Sequence, residues 1–471
     1  MSVEINGSSV TQLVSVQGAL GIRPGTIGCG GDSLTASQEN NSFTTPDSTG
    51  AITNERFSNS ILFWLDVLLG GGRVQSYANT AVGGSTWSQS STTQLQNLLS
   101  STVLPQFWFM IGTGTNDLFA NSGTKTAADI QPSAIKTYDA IVNAGMIPII
   151  CTIPPRDPAT SSANFPSQTW TTAKDNERIA FNAWLLSTVV ARYPTAIVID
   201  LSSYLAGKSP WMDGLHFSAA GAYDIALNLI KPILAPLFRA RKSKIVPGSD
   251  RDTLALWSGS NQLVDWPTFG STSGGATAFS APNSITGTVA QAWTAVASNG
   301  SGGATTVAAS VVAASTALTS AMSAALDIPA AAGNAQKMVI TTTASGDTAQ
   351  LTSQPSAARI SAGDTFYGVG FLVLENMVNL TEARLSAKIT YAAGSVEAIC
   401  GSSQAGTRLS MDAIFSGKTM LVPFVTPAFS VPAGVTPTGI DLRYSLYFGG
   451  AGGGTAYFMM AGLRKGSPPY P

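Results

Sequence analysis

The 471 residues contain one histidine, His216, and it closes the tetrapeptide Asp213-Gly214-Leu215-His216. Far upstream lies Gly31-Asp32-Ser33-Leu34, and between them Gly114-Thr115-Asn116-Asp117. A serine, an imidazole, a nearby carboxylate and an asparagine are the parts needed to attack an ester. Imidazole is the side chain whose ordinary pKa lets it take and return a proton near neutrality. Ser33 is a poor nucleophile until a base removes its proton; His216 can do this and then pass the proton to the leaving alcohol. Asp213 lies close enough in sequence for one local turn to bring it to the far ring nitrogen. There it would hold one tautomer and stabilise the imidazolium. A tetrahedral oxyanion needs preorganised donors, and the backbone N–H of Ser33, a backbone N–H at Gly84 and the side-chain amide of Asn116 fit that role. Asp32 reads as a turn-former rather than a proton carrier. Cys29 has no base nearby in sequence and is not read as a nucleophile.

Taken singly these signals are weak. Gly-Asp-Ser is a common turn, and a lone histidine is more often a core residue than a catalyst. Their weight comes from the elements that must position them. Thr26–Gly30 reads as a buried strand ending at the Ser33 turn. Phe57–Leu69 reads as a helix, Val74–Ala78 as a strand running into Gly83-Gly84, and Gln106–Gly112 as an apolar strand running into the Asn116 loop. Ala127–Asn143 is helical, Ile147–Ile153 a strand and Lys174–Arg192 a helix, with Ile179, Ala183, Leu186 and Val190 repeating along one face. Ala196–Leu201 is the fifth strand, and Ser218 caps a last helix carrying Ala222, Ala226, Leu229 and Ile233. Short apolar strands alternating with helices imply a parallel sheet covered on both faces. Ligands of such sheets bind beyond the carboxyl ends of the strands, which is where all four motifs fall.

On these residues the chain resembles the SGNH (GDSL) hydrolase family over roughly residues 22–237. The first block matches as Gly31-Asp32-Ser33-Leu34, the third as Gly114-Thr115-Asn116-Asp117 and the last as Asp213-Gly214-Leu215-His216. The second block, Asn79-Thr80-Ala81-Val82-Gly83-Gly84, has Ala81 where the family often has glycine, so Gly83 stays open beside Gly84 as the donor. The resemblance implies Ser33 as nucleophile, His216 and Asp213 as base and orienting acid, and Asn116 as oxyanion donor. It also implies a flavodoxin-like three-layer α/β/α fold and a metal-independent esterase with no cofactor. Thr35 stands where a Gly-x-Ser-x-Gly elbow would need glycine, which argues against an α/β-hydrolase.

The pattern changes after the basic run Arg239, Arg241, Lys242, Lys244 and the pair Pro247-Gly248. Short runs rich in Val, Thr, Tyr and Phe (Thr365–Leu374, Ala387–Ala392, Thr419–Val425, Gly439–Phe448) alternate with Gly, Ser and Pro clusters, as in an all-β, jelly-roll-like sandwich. The expected organisation is an N-terminal extension (1–21), a hydrolase domain (22–240), a linker (241–252) and a β-sandwich for glycan binding or assembly (253–471). Residues 300–335 are low in complexity and receive no assignment.

Charged residues make up only 11% of the chain, about half the usual quarter, and the net charge is −1. No basic stripe suggests nucleic acid and no apolar run suggests a membrane span. The three cysteines form no disulfide framework, and Cys29 and Cys151 read as buried thiols. No secretory signal is visible at Met1–Val10. A surface of Ser, Thr, Asn, Gln and Gly is common in secreted and virion proteins, so an extracellular or virion-associated location is expected. The expected substrate is an acetylated polysaccharide, and homo-oligomerisation or virion assembly is left open. Trp257, Trp266, Trp293, Tyr367, Tyr391 and Tyr444 could stack on sugars, although most such aromatics are core. The polar segments Gln38–Glu55 and Pro155–Gln168 could each rim a pocket. A lipid or short-chain esterase, and an adhesive phage tail protein with a vestigial hydrolase domain, are the alternatives.

Overall fold

A computed structural model describes residues 21–36, 39–41, 51–69, 73–101, 103–119, 125–238, 269, 275–300, 302–319, 322, 333–355, 357–402 and 410–465. The expected N-terminal extension and linker, the basic run from Arg239, Trp257 and Trp266 lie outside the described residues, apart from Gly21. The chain divides into two compact units, one of residues 1–39 with 59–239 and the other of residues 40–58 with 240–469.

The first unit holds five strands: β1 (Ile22–Gly30), β2 (Val74–Asn79), β3 (Leu104–Met110), β4 (Ile147–Cys151) and β5 (Ile197–Ile199). They form one sheet in the order β2-β1-β3-β4-β5, and every pairing is parallel. This is the doubly wound flavodoxin-like arrangement, whose order reverses at β1 and opens a crevice at that strand's carboxyl end. Strand β3 is buried on both faces. Trp108 and Met110 join a cluster with Ile130, Ala134, Tyr138 and Ile141 of helix α2 (Ala127–Asn143) and with Phe181, Leu185 and Val189 of the next helix. On the other side of the sheet, helix α1 (Ile61–Leu68) packs against the last helix through Trp64 and Tyr223, whose ring centroids lie 5.1 Å apart. The layers are therefore α/β/α.

Local chemistry sets the ends of these helices. Ser60 caps α1, its hydroxyl accepting the Phe63 N–H at 3.0 Å. That cap starts the helix at Ile61, not at Phe57, which ends a strand instead. Thr126 and Asp129 form a capping box at the start of α2.

Helix α3 (Thr172–Trp184, continuing through Leu185–Val189 to Val190–Arg192) corrects the expected amphipathic face. Ile179 is 51% exposed and Leu186 37% exposed, while Phe181, Leu185 and Val189 are fully buried. Phe181, Leu185 and Val189 recur every four residues and so share one face, while Ile179, about half a turn round from Phe181, lies on the opposite one; a π turn spans Leu185–Val189. The last helix, α4 (Ala219–Asp224, continuing through Ile225–Ile230 and Lys231–Leu234), behaves alike. Ala222 and Ala226 are buried as expected, but Ile230 and Leu234 take the core positions assigned to Leu229 and Ile233.

The second unit is β-rich. Its strands are β6 (Ala276–Phe279), β7 (Ser284–Gly287), β8 (Thr294–Ser298), β9 (Thr305–Ala313), β10 (Asn334–Thr342), β11 (Ser345–Ser353), β12 (Thr365–Tyr391), β13 (Gly394–Ser402), β14 (Thr419–Val425), β15 (Phe429–Ser430) and β16 (Pro437–Lys465). Thr365–Leu374 and Ala387–Ala392, expected as separate strands, belong to the single long β12 and its turn. It pairs antiparallel with β16 along almost its whole length. The register breaks near Asn376 and Asn379, which adopt positive φ, and opposite them at Gly449-Gly450-Ala451-Gly452-Gly453-Gly454. Bent there, the two strands each serve both layers of a sandwich. Gly368 near the start of β12 faces Ala387 near its end and Leu442 of β16, and a Cβ on it would lie 3.2 and 3.3 Å from them.

Three expectations change here. Strand Ala51–Phe57 pairs in parallel with β13, so that part of the Gln38–Glu55 segment is a sheet strand and not a pocket rim. The second unit is thus assembled from two stretches of chain, one of them inside the span expected to be hydrolase. Trp293, Tyr367, Tyr391 and Tyr444 are all buried, so none of these presents a ring to a sugar. Residues 300–335, unassigned from sequence, contribute β9 and the start of β10.

Candidate active site

Ser33 follows the last residues of β1 and opens a short helical turn, Ser33–Ala36. The turn is built by Asp32, whose carbonyl accepts the N–H groups of Thr35 and Ala36 at 3.0 and 2.7 Å. Gly31 makes the bend with φ of 117°, and a Cβ there would overlap the Thr113 hydroxyl. Both backbone groups of Gly31 are clamped by one buried amide: Gln94 Oε1 accepts its N–H at 2.8 Å and Gln94 Nε2 donates to its carbonyl at 2.8 Å. Sequence reasoning missed Gln94, which lies 63 positions away.

His216 Nε2 lies 2.9 Å from Ser33 Oγ, and its Nδ1 lies 2.7 Å from Asp213 Oδ2. The other carboxylate oxygen accepts the backbone N–H groups of Leu215 and His216 at 3.0 and 2.7 Å. Partial burial works to raise the pKa of Asp213. The hydrogen bond and charge of His216 and those two backbone donors outweigh it, leaving the carboxyl below its ordinary value. An ionised Asp213 accepts a proton's hydrogen bond from Nδ1, which leaves Nε2 with a lone pair for the serine hydroxyl. The imidazole and carboxylate keep 17% and 21% of their side-chain surface exposed, so the pair is reachable from solvent.

The second-block loop meets the nucleophile turn where the Val82 N–H donates to the Gly31 carbonyl at 3.1 Å. Ser85 N–H closes a tight turn on the Val82 carbonyl at 3.1 Å, with Gly83 and Gly84 at its centre. Gly84 takes φ of 77°, the conformation glycine favours at the third position of such a turn. Both glycines are exposed and have open space where a Cβ would stand.

Asn116 is buried at the start of the short helix Thr115–Phe119, after β3. Its Nδ2 donates to the Ser85 carbonyl at 3.0 Å, which joins it to the Gly83-Gly84 turn. Its neighbour Asp117 fixes the same loop from the other side, accepting the Trp87 N–H at 2.8 Å and the Lys125 ammonium at 2.8 Å. Ser33, Asp213 and His216 are thus hydrogen-bonded in line. Asn116 and Gly84 join them through Ser85, Val82 and Gly31 rather than by direct bonds.

The segment after β4 closes the far side. Helix Pro158–Asn164 and the turn Pro166–Gln168 run over the histidine loop. Asp157 N–H donates to the Gly214 carbonyl at 3.0 Å, Asn164 Nδ2 to the Asp213 carbonyl at 3.0 Å, and the Phe165 ring meets His216 edge-on at 5.6 Å. Arg156, buried, binds Thr115 and Gln168 and lies 4.3 Å over the Phe119 ring. Burial lowers its pKa to about 10 against the attraction of Asp32 and Asp213, so it remains cationic at neutrality.

Asp32 itself is fully buried. Its Oδ1 accepts the Leu34 N–H at 3.0 Å, and its Oδ2 has no hydrogen-bond partner among the described residues. Burial pushes its pKa up to about 8, opposed by the Leu34 N–H and Arg156 and assisted by the charge of Asp117. None of the three cysteines, all buried, forms a disulfide. Among the described residues no cluster of His, Cys, Asp and Glu is arranged to hold a metal, and no helix is long and apolar enough to cross a membrane.

Residues 27–229 match the family described as GDSL-like lipase/acylhydrolase. The α/β unit is therefore a GDSL-like acylhydrolase domain, followed in the chain by a β-rich unit. No curated protein matches the chain. Among solved structures, a GDSL-like lipase from Bacteroides thetaiotaomicron is 14% identical, with 47% of this chain and 95% of that one covered at a TM-score of 0.31. An acetyl-xylooligosaccharide esterase from Geobacillus, solved as a single-residue variant, is 14% identical, with 46% and 97% covered at a TM-score of 0.29. A structure of carbohydrate-binding modules of the β-sandwich superfamily is 10% identical at a TM-score of 0.24. It covers 36% of this chain, which spans 56% of that structure's length.

Proposed function

We propose that the protein is a serine esterase that removes O-acetyl groups from a polysaccharide. The observation that carries the esterase reading is the 2.9 Å approach of His216 Nε2 to Ser33 Oγ, with Asp213 Oδ2 2.7 Å from the opposite ring nitrogen. In the first half-reaction His216 takes the Ser33 proton as Oγ bonds to the ester carbon. The tetrahedral intermediate collapses with loss of the alcohol, to which His216 returns the proton. Water, deprotonated by His216, then attacks the acyl-enzyme and releases the acid and Ser33. The backbone N–H groups of Ser33 and Gly84 and the second Nδ2 proton of Asn116 are the assigned oxyanion donors.

The carbohydrate reading rests on the surface around these groups. Thr160, Asn164, Ser167 and Thr169 are exposed along the covering segment, and the second-block turn presents Gly83 and Gly84. Val82 is the exposed apolar residue of that turn, too little to hold a long alkyl chain. A small acyl group on a polar, uncharged polymer fits such a rim. The β-rich unit is assigned to glycan binding or to assembly in a secreted or virion particle, and its buried aromatics give no independent support to the former.

The test is acetate release from a panel of acetylated polysaccharides and from nitrophenyl acetate. Ser33→Ala should abolish both. Turnover that rises with acyl chain length would favour a lipid esterase. Failure of Ser33 to label with a fluorophosphonate would favour a vestigial domain on an adhesive protein.

A further inference from the structure

The Ser85 carbonyl on one side, and Arg156 through Gln168 on the other, set the direction in which Asn116 presents its amide. A guanidinium has donors and no acceptor. Arg156 Nη2 donates to Gln168 Oε1 at 3.0 Å, which turns the Gln168 carbonyl towards the arginine and its NH2 group away. That NH2 faces Asn116 Oδ1, with Nε2 at 3.4 Å. The Asn116 carbonyl is thereby committed to Gln168, and its own NH2 points to the Ser85 carbonyl at 3.0 Å. One Nδ2 proton is used there and the other is left for a ligand. Each amide could rotate by half a turn at little steric cost, so shape alone does not decide which end faces the cleft.

The arginine is well placed to impose this order. It is buried, its Nε and Nη2 donate to Thr115 Oγ1 at 3.0 and 2.7 Å, and it lies over Phe119. Thr115 and Phe119 bracket Asn116 on the same short helix.

We infer that Arg156 and Gln168 are positioning residues, a polarity relay that holds Asn116 as a donor rather than an acceptor at the oxyanion position. Resting on the ester-hydrolysis reading, this adds to it a reason for the covering segment: Phe165 of that segment meets His216, and Gln168 three residues later orients Asn116. A flipped Asn116 would place a carbonyl where negative charge develops, which is worse than an absent side chain.

The test uses the full chain and nitrophenyl acetate. Gln168→Glu keeps the acceptor for Arg156 but confronts Asn116 with an oxygen, favouring the flipped amide. It should lower kcat by about tenfold or more, up to the 10²–10³ typical of losing an oxyanion donor, with KM and Tm little changed. Gln168→Met removes the donor without reversing polarity and should lower kcat less. In an Asn116→Ala background neither substitution should have a further effect, because the group being oriented is gone. Gln168→Glu that keeps full kcat, or that loses as much in the Asn116→Ala background as alone, overturns the relay. Ser33→Ala run alongside separates the two ideas: its inactivity beside a fully active Gln168→Glu removes only the relay. Turnover surviving in Ser33→Ala removes the ester-hydrolysis reading, and the relay's catalytic role with it.

Discussion

Asp213 holds His216 twice. One carboxylate oxygen lies 2.7 Å from the imidazole Nδ1, and the other accepts the backbone N–H of the same histidine at 2.7 Å. The acid therefore fixes the position of the residue as well as the tautomer of its ring. Asp213→Asn should keep most of the geometry but can donate to Nδ1, leaving the wrong tautomer facing Ser33. A loss in kcat on the order of 10³–10⁴ is expected, against a near-complete loss for Ser33→Ala. Steady-state kinetics on nitrophenyl acetate check both, and an Asp213→Asn variant within tenfold of the parent would contradict the assigned role.

Asp32 should make the fold sensitive to pH. Its folded pKa is about 8 against an ordinary 3.8. Between those values the folded state holds a proton that the unfolded chain has released, so this group's contribution to stability falls as pH rises from about 4 to 8 and is level outside that window. Asp32→Asn, which cannot ionise, should flatten the dependence. Thermal melts from pH 4 to pH 8 should show the variant gaining on the parent as pH rises. A constant offset would mean that Asp32 is ionised throughout.

The inverted face of α3 is open to a direct comparison. Phe181→Ala and Leu185→Ala should each cost about 2–5 kcal/mol, since both side chains are fully buried. Ile179→Ala and Leu186→Ala should stay within roughly 0.5 kcal/mol of the parent. Urea unfolding that gave the reverse ranking would place Ile179 and Leu186, rather than Phe181 and Leu185, in the core.

Gly83 and Gly84 differ by backbone, not by space. Neither has a neighbour where a Cβ would stand, but only Gly84 has positive φ. Gly83→Ala should be tolerated, whereas Gly84→Ala should cost about 1–2 kcal/mol of local strain and lower kcat as the turn relaxes. Equal kcat values for the two variants would separate this turn from the reaction.

In the β-rich unit, a Cβ on Gly370 would overlap the hydroxyl of buried Tyr444, which donates to the Met459 carbonyl at 3.2 Å. Gly370→Ala should cost about 1–3 kcal/mol by overpacking, and Tyr444→Phe added to it should recover part of that. Differential scanning calorimetry would detect the loss; an unchanged profile would mean that the two layers do not meet there.

Much of the α/β unit was legible in the sequence. Short apolar strands ending in Gly-Asp-Ser, Gly-Gly and Gly-Thr-Asn-Asp bring chemistry-bearing loops to one edge of a parallel sheet by topology alone, and a lone histidine preceded by an acid can close its own turn. These signals are local: residue type, strand end and spacing within a few positions carry them.

Other features depend on contacts between residues far apart in the chain, or on departures from a regular period. In α3 packing turned the face of Phe181, Leu185 and Val189 inward rather than that of Ile179 and Leu186. Asn376, Asn379 and the glycines at 449–454 bent two apparent strand pairs into one long antiparallel pair shared by both layers. Strand Ala51–Phe57 left the hydrolase span to pair with β13, and the burial of Asp32 raised a turn residue's pKa to about 8. The amide relay joins Arg156 and Gln168 to a helix some 41 to 52 positions earlier in the chain. Residue order and periodicity decided which groups could react. Burial and long-range hydrogen bonding, which exist only once the chain is packed, decided how those groups are oriented and charged.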